Sequence, residues 1–354
     1  MEKWRVLVVD DSALMRKVLT RIIAASPDFE VIDVARDGED AVEKARTLHP
    51  DVITMDVNMP KMDGLTALQI IVEEAIAPVV VVSSLTQDGS VTTFEALELG
   101  AFDCVAKPGG TVSTNVYLVQ EELLEKLRAA CKASRKKRIL QRLAQRKAVS
   151  PVEKKVFRHR QPFLSFSAVA IGISTGGPKT IYDVLPFLPA ELNAAVFLVQ
   201  HMPPAFTKSY AERLNTYCAL RVVEAENGML VEPGVVYVGK GGYHLKVGRK
   251  GEEILILLST IPKHMFMPSV DVMMMSVLEV FGERMVGVLM TGMGDDGAEA
   301  MVRIRQSGGY TIAESEETAI VFGMPQEAIV RGGTDVVLPS YQIYREIVKK
   351  VGTR

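Results

Sequence analysis

Short apolar runs alternate with segments of helical spacing over most of the chain. From Trp4 to about Leu127, five runs are rich in Val and Ile: "WRVLVVDD", "VIDVA", "DVITMDVNMP", "PVVVVSS" and "FDCVAKP". Near-continuous β-branched runs fit strands buried on both faces, as in a parallel sheet. Between them, Leu14, Val18 and Ile22, and then Ala41, Val42 and Ala45, recur with helical period. Strand and helix in alternation predict a doubly wound sheet with right-handed crossovers. Ligands in such folds bind beyond the carboxyl ends of the strands.

The alternation returns from about Phe163. "AVAIGIS" reads as a buried strand, and "TGGP" as a turn that opens a helix. Pro178 is tolerated in a first helical turn, and Ile181, Val184 and Leu185 would form the apolar face. "AAVFLVQHMPP" and "MVGVLMTGMGDDG" carry two further strands. The methionine-rich "MFMPSVDVMMM" reads as helix core, with some methionines free to form a soft binding wall. The expected architecture is α/β: two doubly wound parallel-sheet domains, over residues 1–125 and 163–354, joined by a linker over 126–162.

A chain of 354 residues is long enough for two cores. No apolar run approaches the roughly 20 residues of a spanning helix. The start, "MEKWRVLVVDD", meets two acids after a short apolar run and does not read as a signal peptide. Cys104, Cys131 and Cys218 are scattered, with neither a disulfide framework nor metal-ligand spacing. A cytoplasmic, reduced protein is expected. The net charge of −2 conceals a basic stretch between Arg128 and Arg160 in which Glu153 is the one acid. Such a run can bind nucleic acid or anionic lipid, but it reads here as a solvated helix and linker. The chain beyond it is strand-rich and lacks the short helices of a helix-turn-helix. Neither a nucleic-acid partner nor membrane insertion is expected.

The polar residues gather at the strand ends. Asp10 and Asp11 close the first strand, Asp56 the third, Ser83 and Ser84 the fourth, and Lys107-Pro108 the fifth. Three carboxylates at one edge repel unless a cation joins them, and a hard ion such as Mg²⁺ is the natural guest. A carboxylate beside that ion and Lys107 is placed to accept a phosphoryl group, because the new charge is neutralised where it develops. Ser83 could then hydrogen-bond a phosphoryl oxygen. Simple helix capping by the aspartates explains residues from three separate strands poorly.

In the second half, Ser174 falls at a strand-to-helix turn, with Gly176 and Gly177 allowing a sharp bend. His201 ends one strand, and Asp295 and Asp296 come just after another. If these strands are parallel neighbours, nucleophile, base and orienting acid meet on one edge. Gly172 to Gly176 fits G-x-S-x-G, yet the order Ser174, His201, Asp296 differs from that of α/β-hydrolases. Ser174 as a plain turn residue or as part of a phosphate cradle remains an alternative. At this turn "GISTGG" does not supply the spaced G-x-G-x-x-G of a dinucleotide fingerprint, and the Gly-Lys-Ser/Thr of a P-loop is also missing. His244, in "GKGGYHL", fits a substrate cleft or a structural role equally well, and His49 and His159 read as surface residues.

"VVDDSALMR", "MDVNMPKMDGL", "SS" and "KP" resemble a response-regulator receiver domain. "IGISTGGP", "LVQHMP", "PSVDVMM", "TGMGDDG" and "FGMPQEA" resemble the catalytic domain of chemotaxis protein-glutamate methylesterases. The resemblance covers nearly the whole chain. It implies a flavodoxin-like receiver and a Rossmann-like esterase domain. It implies Asp56 as phospho-acceptor, Asp10, Asp11 and a carbonyl near Asn58 around Mg²⁺, and Ser83 and Lys107 as signalling residues. It also implies Ser174 as nucleophile, His201 as base and Asp296 as orienting acid, with the Met293 N–H in the oxyanion hole and Thr175 positioning His201. The esterase chemistry needs no cofactor on this reading. The implied substrates are glutamate methyl esters, and particular glutamines, on methyl-accepting chemoreceptors. The implied phosphodonor is a chemotaxis histidine kinase, and a monomer is expected. One departure stands out: Cys104 holds the place where receivers commonly carry a Tyr or Phe switch. A phosphorylation-gated docking protein is a second reading, which Ser174→Ala separates from an esterase. A transcriptional regulator is a third, and it requires salt-dependent DNA binding.

Overall fold

The computed structural model describes residues 3–83, 87–107, 116–143 and 166–353. Ser84, Pro108 and most of the basic stretch, with Glu153 and His159, lie outside the described residues.

The first unit runs β1 (Trp4–Val9), α1 (Ala13–Ala24), β2 (Phe29–Ala35), α2 (Gly38–Leu48), β3 (Val52–Met55), α3 (Gly64–Glu73), β4 (Val79–Ser83), α4 (Gln87–Glu98), β5 (Asp103–Ala106) and α5 (Val116–Leu143). Its five strands are parallel in the order β2-β1-β3-β4-β5. The unbroken Val/Leu run of β1 reflects this cover on both faces, since Val6, Leu7, Val8 and Val9 are all buried. The order reverses between β1 and β3, so Asp10 and Asp56 emerge side by side at the switch point. Helix α1 is capped by Ser12, whose hydroxyl accepts the Met15 N–H. Asp10 and Asp11 are therefore not its caps. The predicted stripe of α1 is rotated: Leu19, Ile22 and Ile23 are buried, whereas Leu14 is exposed. Helix α5 runs across the expected 125/126 boundary. Leu123, Leu124, Leu127, Ala130 and Cys131 all pack in the core beneath the first sheet.

The second unit runs β6 (Ser167–Ile173), α6 (Gly177–Thr180), β7 (Ala194–Gln200), α7 (Pro204–Tyr217), β8 (Arg221–Glu224), β9 (Val235–Val238), β10 (His244–Lys250), β11 (Glu253–Ser259), α8 (Val270–Phe281), β12 (Met285–Leu289), α9 (Ala298–Gln306), β13 (Tyr310–Glu314), α10 (Met324–Val330), β14 (Val336–Leu338) and α11 (Ser340–Val351). Seven strands form a parallel sheet in the order β14-β13-β12-β6-β7-β9-β8, and β10 and β11 pair as an antiparallel hairpin. The helix expected after "TGGP" is only the four residues of α6, succeeded by two 3₁₀ turns. Pro186 lies in the second of these turns and lacks the N–H that a continuous helix needs. The apolar face is kept all the same, for Ile181, Val184 and Leu185 are buried. Met273 and Met274 of α8 are core, as the pattern predicts, whereas Met265 is exposed.

The two units touch along two seams. Phe94 of α4 stacks on Tyr210 of α7, ring centroids 5.6 Å apart. Glu98 takes the Arg213 guanidinium (2.8 Å) and the Tyr217 hydroxyl (3.3 Å). At the second seam the Gly176 N–H donates to Asp103 of β5 at 3.0 Å.

Candidate active site

At the edge of the first sheet, ligand atoms of Asp10, Asp11 and Asp56 lie within 4.8 Å of one another. Lys107 bridges two of them, 2.9 Å from Asp10 and 2.7 Å from Asp56. Burial pushes the Asp56 carboxyl above its usual range, against the opposing pull of Lys107. Burial would lower Lys107, but its two carboxylate partners outweigh that and raise it. Asp10 Oδ2 is buried and, although ion-paired to Lys107 by distance, accepts no well-aligned hydrogen bond. An under-used buried carboxylate oxygen within an all-oxygen cluster fits a hard divalent cation. Ser83 is buried at the end of β4, next to Lys107, whose N–H donates to the Ser83 carbonyl. Cys104 is buried in β5, and burial pushes its thiol up to about 12. A buried neutral thiol is a poor nucleophile.

In the second sheet β6, β7 and β12 are adjacent and parallel. The chain order reverses between β6 and β12. Ser174 therefore stands beside the loops that carry His201 and Asp296. The turn after Ser174 needs Gly176, whose φ of 80° is unfavourable for a side chain. The Ser174 N–H donates to Thr291 and the His201 N–H to Ile173, which fixes both loops to neighbouring strands.

Ser174 Oγ lies 3.1 Å from His201 Nδ1, and His201 Nε2 lies 2.8 Å from Asp296 Oδ2. A carboxylate only accepts, so Nε2 carries the hydrogen and Nδ1 offers its lone pair to the serine hydroxyl. Burial alone would raise the Asp296 carboxyl. The hydrogen bond and charge of His201, with the Val270 and Asp271 N–H groups, outweigh it and hold the group at about 2. Those two N–H groups open α8, and Ser269 Oγ adds a third donor at 2.8 Å. A carboxylate at a helix N-terminus is stabilised there by the helix dipole. Asp295 takes no part and pairs instead with Arg331. Phe266 lies flat on the His201 ring, at 4.2 Å and 8°.

Ser174, Thr175, His201, Met293, His264 and Phe266 line a cleft of about 430 Å³, and Glu122 and Glu125 of α5 close its other wall. Among the described residues the Met293 N–H has no protein acceptor, so it is free to face the cleft. The Thr175 side chain makes no hydrogen bond to His201 among the described residues. What the site uses is its carbonyl, which accepts from Thr291 Oγ1 at 2.9 Å. His244 is fully buried; it donates to the Pro262 carbonyl and accepts the Ser269 N–H. It is a structural pin for the loop that supports Asp296, and burial lowers its pKa. Glu314 braces the turn from behind by accepting the Thr291 N–H at 2.8 Å. Sequence reasoning missed Gln200, Phe266, Ser269 and Glu314. Of these, Ser269 alone carries a local signal, as the N-cap of α8.

Comparison with known proteins places each half. Residues 169–347 match the family described as CheB methylesterase, and residues 6–113 match the response regulator receiver domain. A protein of Syntrophomonas wolfei named protein-glutamate methylesterase/protein-glutamine glutaminase 3 is 58% identical over 98% of this chain and 99% of its own length. A Pyrococcus abyssi protein with the corresponding name is 45% identical over 99% of this chain and 94% of its own. Among solved structures, the Thermotoga maritima CheB methylesterase catalytic domain is 38% identical with a TM-score of 0.52. That match covers 52% of this chain and 99% of the solved one.

Proposed function

The chain belongs to the CheB methylesterase family, with a receiver domain in front, and from that premise we infer that it is a phosphorylation-activated protein-glutamate methylesterase and protein-glutamine glutaminase of chemotaxis. The observation that carries the reading is the hydrogen-bonded line Ser174–His201–Asp296, at 3.1 and 2.8 Å, opening on a cleft. Ser174 Oγ attacks the side-chain carbonyl carbon of a glutamate methyl ester on a methyl-accepting chemoreceptor. His201 takes the serine proton on Nδ1 and returns it to the departing methoxide, which leaves as methanol. The developing oxyanion faces the Met293 N–H, a donor of the kind whose loss costs about 3–4 kcal/mol of transition-state stabilisation. Water, deprotonated by His201, then cleaves the acyl-enzyme to the free glutamate. With a glutamine the same steps release ammonia.

Residues 1–125 act as the receiver and 163–354 as the catalytic unit. The segment 126–162 connects them, with its first residues packed as part of the receiver. Asp56 accepts the phosphoryl group from a chemotaxis histidine kinase. Asp10, Asp11 and Asp56 would hold Mg²⁺, which neutralises charge on the phosphoryl oxygens when bound. Lys107 and Ser83 report the modified state. Before phosphorylation, α5 and β5 of the receiver lie against the catalytic turn and restrict the cleft. The enzyme works as a cytoplasmic monomer. Among the described residues no helix is long and apolar enough to cross a membrane.

The test is methanol release from methylated receptor membranes by the full chain, with and without Mg²⁺ and a small phosphodonor, beside Ser174→Ala. Release that rises with the donor and vanishes in the variant is expected. Release that persists in Ser174→Ala would overturn the serine mechanism. Release indifferent to the donor would remove the gate.

A further inference from the structure

Gln200 ends β7, one residue before His201, and is 3% exposed. Its amide nitrogen donates to the Ser174 carbonyl at 2.9 Å and to the His201 carbonyl at 3.0 Å. Both of its N–H hydrogens are thus spent on the backbones of the two residues that exchange the proton. The amide oxygen is buried without a partner. Turning the amide over would set that oxygen against two carbonyl oxygens, so the two acceptors dictate the orientation even though one atom is left unpaired. Room for that oxygen comes from Gly177, where a Cβ would lie 2.3 Å from Gln200 Oε1. The φ of Gly177 is outside the left-handed region. At this position the absence of a side chain serves space rather than backbone conformation.

We propose that Gln200 is a positioning residue that sets the Ser174–His201 spacing by holding both backbone carbonyls on one amide nitrogen. The Ser174 carbonyl also accepts the Gly177 N–H at 2.8 Å, and the His201 N–H reaches back to Ile173 at 3.2 Å. The first of these closes the Ser174 turn on itself, and the second is the last rung that joins β7 to β6. Gln200 is what ties one turn to the other beyond the end of the β6–β7 ladder. The role rests on the Ser174–His201 mechanism proposed above. Proton transfer over 3.1 Å depends steeply on alignment, and a misplacement of about 1 Å typically costs about 100-fold in rate.

The test uses the full chain with Gln200→Met, Gln200→Glu, Gly177→Ala and the Gly177→Ala/Gln200→Met double variant. Met keeps the length and removes both donors. Glu keeps the shape and turns a carboxylate oxygen toward two carbonyls. Two rates are read: labelling of Ser174 by a fluorophosphonate, and kcat and KM for methanol release from methylated receptor membranes. Labelling and kcat should fall about 10- to 100-fold in Gln200→Met, further in Gln200→Glu, with KM within about twofold of the parent. The double variant should fall little below Gln200→Met, because both changes act on one amide. A folded Gln200→Met chain with parental labelling and kcat overturns the role, and so does a loss confined to KM. If Gln200→Met does not fold, Gly177→Ala decides, and unchanged labelling there overturns the role. A parent chain that is not labelled at Ser174 overturns the serine mechanism and this role with it. A labelled parent with equally labelled variants overturns the positioning role alone.

Discussion

Three side chains differ sharply in how their surroundings treat charge. Cys104 is pushed up to about 12 by burial and stays a neutral thiol. Asp296 is buried yet held at about 2 by His201 and the first turn of α8, so it stays ionised to orient the imidazole. Asp296→Asn should lower kcat by roughly 10³- to 10⁴-fold while leaving the fold intact, because an amide facing Nε2 favours the wrong tautomer. Comparison of kcat with the thermal midpoint checks this. Glu314 is the opposite case. It is fully buried behind the nucleophile turn, and burial lifts it from the usual 4.5 to about 7, against two hydrogen bonds and with Asp183 adding repulsion. A group whose folded pKa is raised stabilises the fold fully below its unfolded pKa. That contribution is lost as pH climbs toward the folded value. Glu314→Gln should therefore gain in melting temperature relative to the parent as pH rises from about 4.5 to about 7. Melts at the acid and alkaline sides of that window test the sign.

At the scale of elements, β5 reaches both sites. Lys107 sits just past its carboxyl end and contacts Asp56, while Asp103 at its start holds the Gly176 N–H. On the proposed gating, a change at Asp56 that moves Lys107 would pull on the strand carrying Asp103, without an aromatic flip at position 104. Lys126 of α5 steadies the contact, 3.1 Å from Asp103 and bonded to the Cys104 carbonyl. The other seam, α4 on α7, is more exposed at Glu98 and Arg213 and suits a mild perturbation. Glu98→Arg would place like charges together at Arg213. An exposed pair of this kind contributes up to about 1 kcal/mol, so reversal should raise the unphosphorylated esterase rate roughly fivefold, with a correspondingly smaller gain from phosphodonor. An unchanged rate without donor would mean that this seam does not restrain the enzyme.

For the whole molecule, two sheets of one logic serve two chemistries, and each site lies where strand order reverses. Asp56→Asn should abolish the response to phosphodonor while preserving the unstimulated rate, and chelation of divalent cations should do the same to the parent chain. A variant that still responds to donor would move the modification away from Asp56. The receiver's α5 forms one wall of the esterase cleft, so the two halves share a surface rather than merely a chain.

The sequence by itself determined the five strands of the first sheet, the three strands that deliver Ser174, His201 and Asp296, their parallel arrangement and most of the chemistry. It did not announce the antiparallel β10–β11 hairpin or the outer strands of the second sheet. Continuous Val/Ile runs need cover on both faces, and polar residues at their carboxyl ends have one edge to occupy. Asp10, Asp56 and Lys107 were legible in that way, as were Ser174, His201 and the Asp295-Asp296 pair. Local pattern could not say that Leu14 faces solvent, that "TGGPKTIYDVLPFL" breaks into short turns, or that Asp296 rather than Asp295 meets the imidazole. The motif named Asp296, but its contact with His201 comes from the β6–β12 adjacency. The supports were illegible for the same reason. Gln200 donates across to the Ser174 carbonyl, 26 residues away, and Glu314 accepts the N–H of Thr291, 23 away. His244 pins a loop 25 residues on. A hydrogen bond between groups that far apart along the chain leaves no periodicity to read, because the fold alone brings them within reach.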